Sequence, residues 1–111
     1  MERISACKNE GILDTVIDPG FGFGKSIEHN YTLLRNLRYF SHLNLPILAG
    51  VSRKSMICKV LKVNPDKALN GTTAVNTIAL MNGVNILRVH DVREAREVVK
   101  IWEVYANGKL M

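Results

Sequence analysis

Three short apolar runs, each closing on glycine or charged residues, constrain this chain more than any other feature. They are Thr15-Val16-Ile17-Asp18, Pro46-Ile47-Leu48-Ala49-Gly50-Val51 and Val84-Asn85-Ile86-Leu87-Arg88-Val89. Each is too short to be a core helix and carries β-branched residues, so each reads as a strand. The runs begin at positions 15, 46 and 84, which are 31 and 38 residues apart. That is enough chain for a helical crossover between parallel strands. Their near-continuous apolar character fits parallel strands covered on both faces, so the expected fold class is α/β. In such folds ligands collect at the carboxyl ends of the strands. Those three ends are where chemistry is expected.

The intervening segments read as helices. Residues 2–10 are helix-compatible and stop at Gly11. Ser26 is a candidate cap for a helix starting near Ile27. Leu33, Leu37 and Phe40, with Leu34 beside them, form an apolar stripe at helical spacing, and Arg35 and Arg38 fall off it. A short helix is expected from Met56 to Leu61. Asn64-Pro65 reads as a helix start with proline at the first position. Thr72 to Met81 is apolar on most sides, so that helix should be well buried and end near Gly83. Asp91 with Glu94 resembles a capping box. The last helix should turn Val92, Ala95, Val98, Val99 and Trp102 inward and end at Gly108.

With 111 residues, 47% of them apolar and 23% charged, the chain has room for one small globular domain and is not of the disordered type. No apolar stretch approaches the ~18–20 residues that span a bilayer, so no membrane association is expected. No basic-then-apolar leader is visible, and the expected compartment is the cytoplasm. Cys7 and Cys58 form no CxxC pattern and read as free thiols. The formal charge of +5 suits an anionic partner. The basic residues are dispersed and do not alternate with stacking aromatics, so no nucleic-acid partner is expected.

The first strand end reads Ile17-Asp18-Pro19-Gly20-Phe21-Gly22-Phe23-Gly24-Lys25. A carboxylate closing a buried strand is costly unless paired, so Asp18 is a candidate site residue; it is equally a candidate turn cap. The glycines permit sharp turning and close approach of a ligand. Gly24-Lys25-Ser26 matches the end of a phosphate loop, but the first glycine of that pattern falls on Pro19. A phosphate-loop nucleotide-binding protein is therefore the alternative reading. The second end, Ser52-Arg53-Lys54-Ser55, gathers two hydroxyls and two cations where a strand gives way to a helix. At the third, alternation places Arg88 and His90 on one face, a pairing suited to an anionic group such as pyrophosphate. His29 and His42 lack partners at ligand spacing and read as surface residues. No cluster with metal-ligand spacing is visible in the sequence.

Taken in order, Ile17–Lys25, Ser52–Ser55 and Arg88–Val92 resemble the dihydropteroate synthases. The resemblance runs essentially the whole length of the chain. It implies a (β/α)8 barrel that joins 6-hydroxymethyl-7,8-dihydropterin diphosphate to 4-aminobenzoate, giving 7,8-dihydropteroate and pyrophosphate, with sulfonamides competing. It implies that Asp18, Lys54 and Arg88 contact the pterin and that Arg88 and His90 hold the diphosphate. Phe23, Ser52 and Arg53 would lie on the aminobenzoate side. A barrel of this kind takes ~250 residues. Residues 1–111 are thus expected to be the C-terminal portion, the last three strand–helix units, carrying one side of a pocket. The magnesium of the full enzyme is expected, with its ligand residue outside this chain. The isolated chain is expected to be inactive and to self-associate through open strand edges, and the full enzyme to be a homodimer.

Overall fold

The computed structural model describes residues 16–22 and 24–109. The helix expected over residues 2–10, Cys7, Thr15 and Phe23 lie outside the described residues. In chain order the elements are helix α1 (Ile27–Arg35), a 3-10 helix (Leu37–Leu43), strand β1 (Leu48–Ala49), α2 (Ser55–Leu61), a 3-10 turn (Pro65–Lys67), α3 (Leu69–Met81), strand β2 (Ile86–Leu87) and α4 (Val92–Asn107).

The sheet is parallel. Leu48 lies opposite Ile86 and Ala49 opposite Leu87. On the other side of the middle run, Ile17 forms a parallel bridge with Ile47. The Ile17 N–H donates to the Pro46 carbonyl and the Leu48 N–H to the Ile17 carbonyl, both at 2.8 Å. The three apolar runs therefore lie side by side, with the second in the middle. Regular pairing is shorter than the runs because side chains replace backbone at the edges. The Asn85 side-chain oxygen takes the Ile47 N–H at 2.9 Å. The Asn85 and Ile86 N–H groups share the Ile47 carbonyl, and pairing closes with Arg88 N–H to the Ala49 carbonyl at 3.0 Å.

Ile17, Ile47, Ala49 and Val51 are buried together with Leu34, Leu37, Met56, Ile57, Val75 and Ala79. Ile47, Ala49 and Val51 share one face of the middle run and are buried, whereas Leu48 on the other face is only half-buried, so the expected cover on both faces is incomplete. The third run is barer still: Ile86 is 39% exposed. The Ser26 hydroxyl caps α1 by accepting from the His29 N–H at 3.1 Å. The stripe outlives the helix, because the chain tightens into a 3-10 turn that keeps Leu37 buried and Phe40 packed on the core.

Three sequence expectations need correction. Asn64-Pro65 opens a 3-10 turn, and α3 begins only at Leu69. α3 is buried through Gly71, Thr72, Val75, Asn76, Ala79 and Leu80, whereas Ile78 and Met81 are 43% and 45% exposed. The Asp91 side chain does not cap α4, and Val92 is 58% exposed. Ala95 is buried, Val98, Val99 and Trp102 are half-buried, and Gly108 ends the helix in a left-handed conformation at φ 72°. Between α3 and α4 lies an apolar groove of about 540 Å³ lined by Met81, Val98, Ile101 and Trp102 among others. The Trp102 ring sits 5.6 Å from that of Tyr105. No described helix is long and apolar enough to cross a membrane.

Helices α2 and α3 meet at Gly71. A methyl group there would lie 2.6 Å from both Ile57 Cγ2 and Leu61 Cδ1. Ile57 is buried and cannot yield cheaply, although Leu61 is half-exposed. Gly71→Ala should cost about 1–2 kcal/mol, overpacking outweighing the ~1 kcal/mol gain in helix propensity. Urea unfolding of the two proteins checks this.

Candidate functional site at the strand ends

The glycine-rich segment after the first run is folded by its own polar groups. The Gly20 N–H donates to Asp18 Oδ1 at 3.0 Å, an Asx turn. Gly22 stands at φ 90°, a conformation that disfavours any side chain. Its N–H donates to Asn30 Oδ1 at 2.8 Å, while Asn30 Nδ2 donates to the Ser26 carbonyl at 3.0 Å. Asn30, on α1 and only 1% exposed, thereby ties the loop to the start of its helix. Lys25 Nζ folds back onto the Gly20 carbonyl at 2.9 Å. Phe21 is buried, and its carbonyl accepts from Lys54 Nζ at 2.7 Å, joining the first and second strand ends.

The second end turns at Arg53, whose φ of 55° is left-handed. A non-glycine residue held there costs of order 1–3 kcal/mol and persists only when its surroundings fix it. Here they do. The Arg53 N–H donates to Thr72 Oγ1 at 3.0 Å on α3. Its guanidinium grips Asp91 with two bonds, Nε to Oδ2 at 3.0 Å and Nη2 to Oδ1 at 2.9 Å. Nη1 also donates to the Pro65 carbonyl. The hydrogen bond from Arg53 holds the Asp91 carboxyl below its usual range and pushes the guanidinium further up.

The third end meets the other two. Arg88 Nη1 lies 3.5 Å from Asp18 Oδ2. Ser52 Oγ is 2.7 Å from His90 Nδ1 and accepts from the His90 N–H at 3.3 Å. A cavity of about 140 Å³ is lined by Gly50, Ser52, Lys54, Arg88, Val89 and His90. Burial, then the neighbouring Arg88 charge, lowers the pKa of Lys54; Asp18 opposes the shift. The larger groove between α3 and α4 is mostly apolar and lies away from these groups, so the chemistry belongs to the smaller cavity.

Of the residues singled out from sequence, Ser52, Lys54, Arg88 and His90 thus come together, and Asp18 joins them through Arg88. Arg53 does not line the cavity; its side chain points to Asp91 and Pro65. Phe23 falls outside the described residues. His29 and His42 are exposed. Sequence reasoning missed Gly50, Asn30 and the pairing of Asp91. Asp91 carried a signal in its place beside His90, but reading it as a helix cap concealed the partner.

A family profile described as "Pterin binding enzyme" matches residues 1–90. The chain belongs to the pterin-binding enzyme family. It is 47% identical over 111 residues to the dihydropteroate synthase of Escherichia coli K12, a match covering 98% of this chain and 39% of that relative. The crystal structure of Yersinia pestis dihydropteroate synthase superimposes with a TM-score of 0.89 at 44% identity, over 96% of this chain and 51% of the other. The Thermus thermophilus dihydropteroate synthase, solved in complex with 6HMPPP, gives a TM-score of 0.85 at 43% identity, over 92% of this chain and 41% of that one. The same enzyme solved with 4-aminobenzoate gives 0.84 at 44% identity, over 90% and 39%. The chain thus spans about two fifths of the curated relative's length. Membership in this pterin-binding family displaces the phosphate-loop alternative, in keeping with a Lys25 that bonds its own loop.

Two outcomes follow from the clamps. Asn30→Ala leaves the Gly22 N–H without its acceptor and removes one of the two bonds to the Ser26 carbonyl, which keeps the Asn30 N–H, and should destabilise the chain by about 1–2 kcal/mol, checked by urea unfolding. Asp91 titrates lower in the folded chain than in the unfolded one, where its pKa is about 3.9. Its stabilising contribution is therefore present above about pH 4 and is lost as pH falls through the lowered folded value. Asp91→Asn should flatten the acid limb of stability, measured by urea unfolding across that range.

Proposed function

We propose that this chain forms the diphosphate-holding side of a dihydropteroate synthase, as the last three strand–helix units of a (β/α)8 barrel. The observation that carries the reading is the convergence of Lys54, Arg88 and His90 on one cavity, with Asp18 ion-paired to Arg88. The Thermus relative solved with 6HMPPP and with 4-aminobenzoate supports the choice of substrates.

In this reading Asp18 accepts hydrogen bonds from the pterin ring, and Lys54 donates to it from the other side. Arg88 lies against the pterin and shares the diphosphate with His90. Ser52 and Phe23 border the aminobenzoate; Arg53 contributes there through the turn it fixes. Cleavage of the pterin-methylene carbon–oxygen bond leaves positive charge on the carbon and added negative charge on pyrophosphate. Asp18 opposes the first and the Arg88–His90 pair the second, and charges fixed in place before the reaction stabilise its transition state most effectively. The aminobenzoate nitrogen then forms the new bond to the methylene carbon.

Among the described residues no three His, Cys, Asp or Glu side chains gather to hold a metal. They do not fit a magnesium site by themselves, and no step here runs through the ion. In this reading the whole enzyme is a cytoplasmic homodimer, and the chain alone turns over negligibly because it supplies one wall of the pocket. Alone it associates through the edges of Ile17 and β2 that no described residue pairs. A monodisperse 12.4 kDa species in light scattering would overturn that association.

Calorimetric titration with 6-hydroxymethyl-7,8-dihydropterin diphosphate tests the reading. Asp18→Asn and Lys54→Ala should each weaken binding about tenfold, the scale of one lost charge-assisted hydrogen bond. Affinity indifferent to both substitutions would sink it. Binding should also fade on the alkaline side earlier than an ordinary lysine allows, because the Lys54 pKa is lowered.

A further inference from the structure

The ladder register does not stop where the strands stop. Leu48 pairs with Ile86 and Ala49 with Leu87, an offset of 38 residues. The same offset joins Ser52 to His90 and Arg53 to Asp91. It also sets Gly50 against Arg88: a methyl group on Gly50 would lie 2.6 Å from Arg88 Nη2, 2.9 Å from Nε and 3.0 Å from Cζ. Arg88 and His90 of the third strand end therefore each rest on the residue facing them from the second.

We propose that Gly50 and Ser52 are positioning residues that seat Arg88 and His90 for an anionic ligand. This rests on the reading of that pair as the diphosphate site and extends it to residues that touch the pair from beneath.

Gly50 is absent from the glycines with positive φ, so its backbone does not demand glycine. What does is the guanidinium, which lies against the Gly50 Cα. The Arg88 side chain is 54% exposed, and its ion-pair partner Asp18 is 3.5 Å away. An exposed arginine has much rotamer freedom to lose on binding. A bare Cα lets the planar group lie against the strand end, within reach of Asp18. An added methyl group would meet the flexible end of Arg88, so the fold yields by moving Arg88 away.

Ser52 works by a different means. It is 5% exposed, and its oxygen accepts the His90 N–H. Among the described residues its hydroxyl has no partner other than His90, so in this proposal its proton points at His90 Nδ1, 2.7 Å away. In the neutral ring Nδ1 is then the acceptor and the proton sits on Nε2. In the charged ring Nδ1 donates to the same oxygen, and Nε2 keeps its proton. His90 thus offers an Nε2–H donor in either charge state.

The test has ligand-free and ligand-bound arms on the chain as it stands. Urea unfolding is measured for the parent, Gly50→Ala, Arg88→Ala and the double variant. Gly50→Ala should be less favourable to stability in the parent than once Arg88 is alanine. An equal change in both backgrounds, or failure of both Gly50→Ala proteins to fold, overturns the role of Gly50. Imidazole ¹⁵N spectra of the neutral ring should show the Nε2–H form of His90 in the parent and in Ser52→Thr, and a tautomer mixture in Ser52→Ala. The same mixture in all three overturns the role of Ser52. Titration with inorganic pyrophosphate should give about fivefold or more weaker binding for Gly50→Ala and for Ser52→Ala, on the scale of one hydrogen bond to a charge. Binding should recover in Ser52→Thr, and Gly50→Ala should change nothing in the Arg88→Ala background. A parent that binds no pyrophosphate counts against the proposed diphosphate site, while the ligand-free arms still decide the two seats.

Discussion

The backbone of Ile47 holds the three strand ends in line, and the placement of every site residue depends on it. On one side its neighbours Pro46 and Leu48 make the two bonds that bridge it to Ile17; on the other its carbonyl accepts from Asn85 and Ile86, and its N–H is taken by the Asn85 side chain. A slip of one residue in either pairing would turn every following side chain to the opposite face. Asp18 would then lose Arg88, and Ser52 would lose His90. The burial of Ile17, Ile47, Ala49 and Val51 in one core is what forbids such a slip. The apolar residues thus choose the register, and the polar residues beyond them inherit it.

The site so built holds its cations under tension. Lys54 and Arg88 line the same small cavity, and Asp18 is the carboxylate ion-paired there. Burial imposes a desolvation cost on the Lys54 charge and the nearby Arg88 charge adds repulsion, which is why its ammonium is easier to deprotonate than usual. An anion entering the cavity relieves that repulsion. The Arg53–Asp91 pair lies outside the cavity and does different work. It balances its own charge and fixes a left-handed turn without glycine.

Much of this was legible in the residues themselves. The apolar runs gave the parallel arrangement, Ser26 gave the start of α1 and Gly108 the end of α4. Asp18 stood out because a carboxylate closing a buried strand is expensive unless paired, and Arg88 with His90 because alternation puts them on one face; Lys54 was singled out by the family resemblance. What escaped was whatever depends on a partner distant in sequence. Asp91 followed by Glu94 satisfies the local pattern of a cap, yet Arg53, 38 residues earlier, takes its carboxylate. Gly50 reads as an ordinary strand-end glycine until Arg88 is seen lying on it. Asn64-Pro65 announces a helix correctly in kind but yields only a 3-10 turn before Leu69. The over-assigned burial of Ile86, Ile78 and Met81 has one origin: a run of apolar residues signals a core face but not how many neighbours are present to cover it.

The single tryptophan, Trp102, stands in the groove between α3 and α4, beside Tyr105 and on the helical layer rather than at the strand ends. Intrinsic fluorescence is therefore a gauge of how those two helices are docked. It will record loosening or covering of that flank and stay silent while an anion enters or leaves the cavity above the sheet. The chain carries a built-in optical reporter for its architecture, and none for its chemistry.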